Sequence, residues 1–290
     1  MTYEAAVRYL MSLLGDIRGA NFGLQRMERL MGALGHPERS FRGVHIAGTN
    51  GKGSTAAFIE SGLRAAEFRT GLYTSPHLVR FNERLKLDGR DSSDGDFAAA
   101  VEEVRAANER LLAEGGRQAH PTFFETVTAT VFCGFRRANV DWGVVEVGLG
   151  GRLDATNVVT PEIAVITPID FDHEGFLGIR APSIAAEKAG IIKSGCKVIV
   201  SEQHPAAMEV ILRRAGELGV SVSRVGTDWR AEGASEVDGC FRFDAQPADK
   251  RPSIPVRLSL AASRRVSRSH HRYQQLSSTQ FLRSTKVGGS

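Results

Sequence analysis

The order of apolar patterns along this 290-residue chain predicts an α/β fold, a mostly parallel sheet with helices on both faces. Two observations carry that expectation. Short β-branched runs alternate with longer segments of helical period, and one run feeds a glycine-rich turn that opens a helix. In chain order, Tyr3, Val7, Leu10, Leu13 and Leu14 fall at helical spacing. Residues 24 to 34 repeat the pattern before Gly35, with Pro37 following. Phe41, Val44 and Ile46 read as a strand, and residues 54 to 66 as the helix beyond the turn. Residues 69 to 73 form a further strand. An Asp/Ser/Gly cluster at 91 to 95 then starts a long helix over 96 to 112, and another covers 123 to 138. Strands at 142 to 147, 163 to 167 and 197 to 200 alternate with helices at 182 to 190 and 205 to 217.

Composition excludes several classes. No apolar run approaches the roughly 20 residues that span a bilayer, and Met1-Thr2-Tyr3-Glu4 lacks the basic-then-apolar layout of a secretory signal. The expectation is a cytoplasmic chain with no membrane partner. The three cysteines, Cys133, Cys196 and Cys240, are far apart and make no Cys-x-x-Cys pair, which argues against a disulfide framework or a zinc site. The net charge of +4 is concentrated at one end. Residues 261 to 290 hold six basic and no acidic residues, so the rest of the chain carries −2. A mildly acidic body argues against nucleic acid as a partner. After Leu260 the chain is rich in Ser, Arg and Gln with no apolar period, and 256–290 is expected to be a disordered basic tail.

The motif with the clearest chemistry is Gly48-Thr49-Asn50-Gly51-Lys52-Gly53-Ser54, followed by Thr55. A strand feeding a glycine turn that opens a helix aims backbone N–H groups and the positive helix end at one spot, which suits a polyphosphate. Lys52 adds a cation, and Ser54 or Thr55 a hydroxyl for phosphate or magnesium. The common phosphate-loop pattern requires glycine at position 46 and Ser or Thr at 53, where this chain has Ile46 and Gly53. Taken alone, the string also fits an ordinary glycine turn.

The spelling His45-Ile46-Ala47-Gly48-Thr49-Asn50-Gly51-Lys52-Gly53-Ser54-Thr55 closely resembles the phosphate loop of the folylpolyglutamate synthase and dihydrofolate synthase family, relatives of the Mur peptide ligases. Four later segments resemble that family in order: Tyr73-Thr74-Ser75-Pro76-His77-Leu78, Arg80-Phe81-Asn82-Glu83-Arg84, residues 146 to 157 (Glu-Val-Gly-Leu-Gly-Gly-Arg-Leu-Asp-Ala-Thr-Asn), and Glu187-Lys188-Ala189-Gly190-Ile191. The resemblance covers about residues 1 to 255. It implies a P-loop NTPase-like Mur ligase central domain over 1–255 that binds ATP and two magnesium ions. It further implies an ATP-dependent carboxylate-amine ligase that adds L-glutamate to dihydropteroate or folylpolyglutamate through an acyl phosphate. Such a chain takes only small molecules as partners and acts as a monomer.

The same resemblance assigns Ser75 and Glu146 to one magnesium and His173 to a second. It places Lys188 at a carbamylated position, and the pterin substrate near Asn21, Phe22, Gly23, Leu24, Thr122, Phe123, Phe124, Glu125, Leu153, Asp154 and Ala155. On residue chemistry alone each has a plainer role. Glu146, at a strand end, fits a metal ligand or a solvated carboxylate, and His173 a ligand or a structural histidine with Asp172 beside it. Lys188 fits a surface lysine, the phenylalanines core packing or a ring wall, and Arg84 a carboxylate or phosphate anchor or a surface salt bridge.

Family members carry a second α/β domain, with Gly-x-His-Gln and Asp-Gly-Ala-His-Asn segments that this chain lacks. A shifted reading frame near residue 262 would produce the basic tail. Two alternatives therefore accompany the ligase expectation: a truncated nucleotide-binding homologue without complete catalysis, and a Mur-type peptide ligase.

Overall fold

The computed structural model describes residues 1–15, 23–116, 120–170, 181–237, 240–249 and 251–259. They fall into two units, Met1–Asp228 and a second beginning at Trp229. The first is built on an eight-stranded sheet of order β4-β3-β2-β5-β1-β6-β7-β8. Its strands are β1 (Arg42–Ala47), β2 (Thr70–Tyr73), β3 (Lys86–Leu87), β4 (Arg90–Asp91), β5 (Trp142–Glu146), β6 (Ile163–Ile166), β7 (Lys197–Val200) and β8 (Val222–Arg224). Strands β2, β5, β1, β6, β7 and β8 run parallel, while β3 and β4 add an antiparallel edge.

The helices are α1 (Tyr3–Ser12), α2 (Gln25–Ala33), α3 (Lys52–Ala65), α4 (Asp94–Gly115), α5 (Phe123–Arg137), α6 (Ala181–Ala189) and α7 (Pro205–Glu217). Successive strand side chains point to opposite faces, and the packing follows that rule. Leu72 and Val144 pack with Ala56 of α3, whereas their neighbours Tyr73 and Val145 join Phe97, Phe132 and Phe135 of α4 and α5. Helices thus cover both faces, as expected. Because the faces are dry, β1 from Gly43 onward and all of β5 are buried and, His45 and Glu146 apart, read as apolar runs.

Most boundaries lie within two or three residues of those read from periodicity. Helix α3 starts at Lys52 and not at residue 54, because Gly51 takes the left-handed conformation (φ 79°) and closes the turn earlier. The second unit's described residues form a three-stranded antiparallel sheet of β9 (Trp229–Val237), β10 (Cys240–Pro247) and β11 (Ile254–Ser259) in the order β11-β10-β9. Among the described residues no helix is long and apolar enough to cross a membrane. Of the tail expected over 256–290, residues 256 to 259 instead complete β11, where they pair with β10; the remainder, like Asn21, Phe22, Asp172 and His173, lies outside the described residues.

Candidate active site

Strand β1 delivers the chain to Gly48, whose φ of 150° and closeness to β6 admit no side chain: a Cβ there would lie 1.8 Å from Thr167 Oγ1. The loop is then tied down on the β6 side. Thr49 N–H donates to Pro168 O (3.0 Å) and Thr49 Oγ1 to Asp170 O (3.1 Å), while Asn50 Nδ2 reaches Asp170 Oδ2 (3.4 Å). Helices α1, α4 and α5 open under the side chains of Thr2, Ser93 and Thr122, but no side chain caps α3 and its first turn holds no acidic residue. The N–H groups around Lys52, Gly53 and Ser54 are therefore left for an anion, while Thr55 N–H is already bonded to Gly51 O at 2.9 Å. Lys52 Nζ rests on Thr49 O at 3.2 Å, folded across its own loop.

Three further groups converge on this loop. Glu146, at the C-terminal end of β5, accepts from Ser75 N–H at 3.2 Å, and its Oε2 would stand 3.5 Å from a Cβ placed on Gly53. Lys188 of α6 donates Nζ to Gly48 O at 2.8 Å. Both side chains are 6 % exposed, which rules out the solvated carboxylate and the surface lysine. Burial pushes the Glu146 carboxyl up to about 7, although Lys52 and the Ser75 N–H pull it back. Burial, followed by the charge of Lys52, brings Lys188 down to about 8. The approach of α6 depends on glycine: a Cβ on Gly151 would meet Glu187 O at 2.5 Å, and one on Gly190 would meet Arg152 Cβ at the same distance.

Beside the loop lies a cavity of about 690 Å³, lined in part by Ser75, Arg84, Phe123, Phe124 and Asp154. It gathers most of the residues expected around a pterin: Gly23, Thr122, Phe123, Phe124, Glu125, Leu153, Asp154 and Ala155. Leu24 instead lines a separate polar cavity with Glu38 and Lys193. Phe124 stacks on Tyr73 (6.5 Å between centroids) and fits only because residue 148 is glycine, since a Cβ there would lie 2.3 Å from its Cζ. Thr122 and Glu125 form the capping box of α5, and Glu125 also holds Arg26 Nε at 3.2 Å. Asp154 is fully engaged by its own chain. It accepts from Leu149 N–H (2.8 Å), Thr156 N–H (3.0 Å), the Thr156 hydroxyl and Gly148 N–H. That arrangement uses the roughly four acceptor sites of a carboxylate. Arg84 is also 6 % exposed and makes no salt bridge among the described residues; its guanidinium lies 5.9 and 6.0 Å from the ring centres of Phe81 and Phe123.

Residues 46–258 match the Mur ligase middle domain. The chain belongs to the Mur ligase family. This Mur ligase chain is 45 % identical over 198 residues to a dihydrofolate synthase/folylpolyglutamate synthase of Bacillus subtilis, a match covering 68 % of the chain and 46 % of that relative. It is 38 % identical over 258 residues to a folylpolyglutamate synthase of Lacticaseibacillus casei, covering 87 % and 58 %. Among solved structures, the apo form of the L. casei enzyme superposes with a TM-score of 0.82 at 37 % identity, covering 88 % of this chain and 62 % of that one. The Mycobacterium tuberculosis folylpolyglutamate synthase complexed with ADP and AMPPCP gives 0.78 at 36 %, covering 84 % and 55 %. The chain spans about half the length of the curated relatives it matches.

Residue-by-residue reading missed two residues that line this cavity, Arg26 and Arg152, and one that holds a lining residue, His77. Arg26 carries no motif signal, being one more charged residue on a short helix. Arg152 and His77 sit inside quoted motifs, but only the fold places Arg152 on Glu187 (2.8 Å) at the cavity's edge and His77 against Arg84.

Proposed function

We propose that this Mur ligase chain joins L-glutamate to dihydropteroate or a folylpolyglutamate, using ATP to convert the substrate carboxylate into an acyl phosphate. The observation that carries the reading is the position of Ser75. Its N–H is bound to Glu146 beside the phosphate loop, and the same residue lines the aromatic cavity. A flat acid seated against Phe123 and Phe124 thus presents its carboxylate toward the nucleotide's terminal phosphate, and positioning dominates the cost of phosphoryl transfer. The α3 N-terminus and Lys52 hold the phosphates. Complexes of the structural relatives with AMPPCP, and with AMPPCP and folate, support the two ligand classes.

The residues fit magnesium. Glu146 is a buried carboxylate with no ion pair among the described residues, and a hard cation beside it would hold it ionised. A magnesium ion bound to phosphates and waters needs few protein ligands, so Glu146 with the Ser75 side chain suffices for one. When bound, the ion neutralises charge on the transferring phosphoryl group. His173 is the proposed ligand of the second. Lys188 in this reading is carbamylated: its neutral amine forms an N–C bond to carbon dioxide and releases a proton. The depressed Lys188 pKa supplies that neutral amine. A mass gain of one carbon dioxide on Lys188 in bicarbonate-soaked crystals is expected, and an unmodified lysine counts against it.

The deciding experiment incubates the chain with ATP, magnesium, dihydropteroate and labelled L-glutamate. Phosphate release that requires both organic substrates, with label entering the pteroyl product, is expected. Nucleotide binding without that release would support the non-catalytic reading instead.

A further inference from the structure

We propose that His77 is a positioning residue that aims the Arg84 guanidinium into the aromatic cavity, where Arg84 reads the carboxylate of the pteroyl substrate; this rests on the cavity being the substrate site. Arg84 Nε donates to His77 Nδ1 at 2.7 Å. A guanidinium has donors only and keeps its charge. His77 Nδ1 therefore offers its lone pair, and the ring is neutral with its hydrogen on Nε2. The imidazole is braced in turn by Phe81, 4.3 Å away between centroids, and Arg84 lies against the Tyr73 hydroxyl on β2.

The choice of holder matters. A carboxylate on Nε would fix the guanidinium equally well but cancel its charge, whereas a neutral imidazole fixes it and leaves the charge intact. The surrounding carboxylates are committed elsewhere. Glu83 accepts from Leu78, Val79 and Arg80 N–H groups at 2.7, 2.8 and 2.7 Å. Asp94 takes Arg80, Glu125 takes Arg26, and Glu187 takes Arg152. Among the described residues none pairs with Arg84. A buried cation without a counter-charge is costly, so the cavity is predisposed toward an anion presented at its Ser75 and Arg84 end. A guanidinium with Nε fixed keeps its other N–H groups in one plane, the arrangement that meets a carboxylate on two oxygens.

The test titrates the full chain calorimetrically with pteroate and with pteroate methyl ester, which lacks the charge. Arg84→Met should weaken pteroate by about 100-fold and bring it level with the ester, the scale of a lost charge-assisted pair. His77→Phe keeps a ring on Phe81 but removes the acceptor; it should weaken pteroate about tenfold and the ester by less than about twofold. His77→Asn, which restores an acceptor oxygen, should recover most of that loss. Equal weakening of pteroate and ester by His77→Phe, or no recovery with Asn, would overturn the positioning role alone. No effect of Arg84→Met would overturn it together with the reading of the cavity. Should His77→Phe fail to fold, nitrogen chemical shifts of the wild type decide: a neutral His77 with its hydrogen on Nε2 is expected, and one with the hydrogen on Nδ1 overturns the proposal.

Discussion

Glu146→Gln should stabilise this protein at neutral pH and only slightly in acid. Burial raises the Glu146 carboxyl from its ordinary 4.5 to about 7. The folded chain therefore holds the proton more tightly than the unfolded chain, and the contribution to stability is full below pH 4.5 and lost as pH rises through about 7. A shift of that size corresponds to about 3 kcal/mol once the group is ionised, most of it already lost at pH 7.5 and under about 1 kcal/mol lost at pH 5. Glutamine keeps an oxygen for the Ser75 N–H and does not titrate. For a domain of this size each kcal/mol moves Tm by roughly 2 to 4 °C, so the variant should melt about 6 to 12 °C higher at pH 7.5 and within about 4 °C at pH 5. Buried His45, pushed down to about 3, acts with the opposite sign: its contribution is present above its unfolded value and lost as pH falls. Only the difference between variant and wild type is therefore diagnostic, measured by thermal melts at both pH values without nucleotide. In the proposed reading the same variant binds magnesium-ATP about tenfold more weakly, a stability gain offset by lost function. A Tm difference that does not change with pH would refute the reasoning.

Gly48→Ala should lower Tm and abolish tight ATP binding together, because its Cβ would stand 1.8 Å from Thr167 Oγ1 in a backbone conformation that disfavours side chains; wild-type ATP affinity in a titration would show that the loop can shift. Phe124→Ala removes the ring stacked on Tyr73, so pteroate affinity should fall by about 10- to 100-fold with ATP affinity unchanged. Paired titrations check this, and loss of both ligands alike would point to a collapsed fold instead.

The parallel strands and the helices around them were legible because their signal is local: β1, β5 and β6 are short, mostly apolar runs, and α4 and α5 carry helical period over several turns. The hairpin β3–β4 was not, since two residues per strand carry no period and their register comes from Gly71 and Leu72 of β2. Strand β9 escaped for another reason: nearly all of it is exposed, so no alternation of apolar and polar residues marks it. The phosphate loop was legible as a string of glycines. The burial of Lys188 was not, because its neighbours Glu187 and Ala189 look like any helix surface, and only the contacts allowed by Gly151 and Gly190 bring it onto Gly48 O.

Asp154 illustrates how a motif can name the right residue without revealing which of its atoms remain available. Sequence and resemblance place it at the pterin, and it does line the cavity. Its oxygens, however, accept from Gly148, Leu149 and Thr156, which folds residues 148 to 154 into the cavity wall and caps the short 3-10 helix Ala155–Val158. Through Thr156 Oγ1 the same unit reaches buried His45 Nε2 at 2.9 Å, on the strand that leads into the phosphate loop. Asp154→Asn turns one acceptor into an NH2 group facing donors, at a cost of about 2 to 3 kcal/mol from the lost acceptor and an unsatisfied buried donor. Thermal melts should show Tm falling by about 4 to 12 °C, with pteroate and its methyl ester weakened alike, because the wall itself is deformed. An unchanged Tm with a selective loss of the pteridine-bearing ligands would show instead that Asp154 gives up a wall hydrogen bond to reach the ring. The fold as it stands uses its carboxylate to build the site.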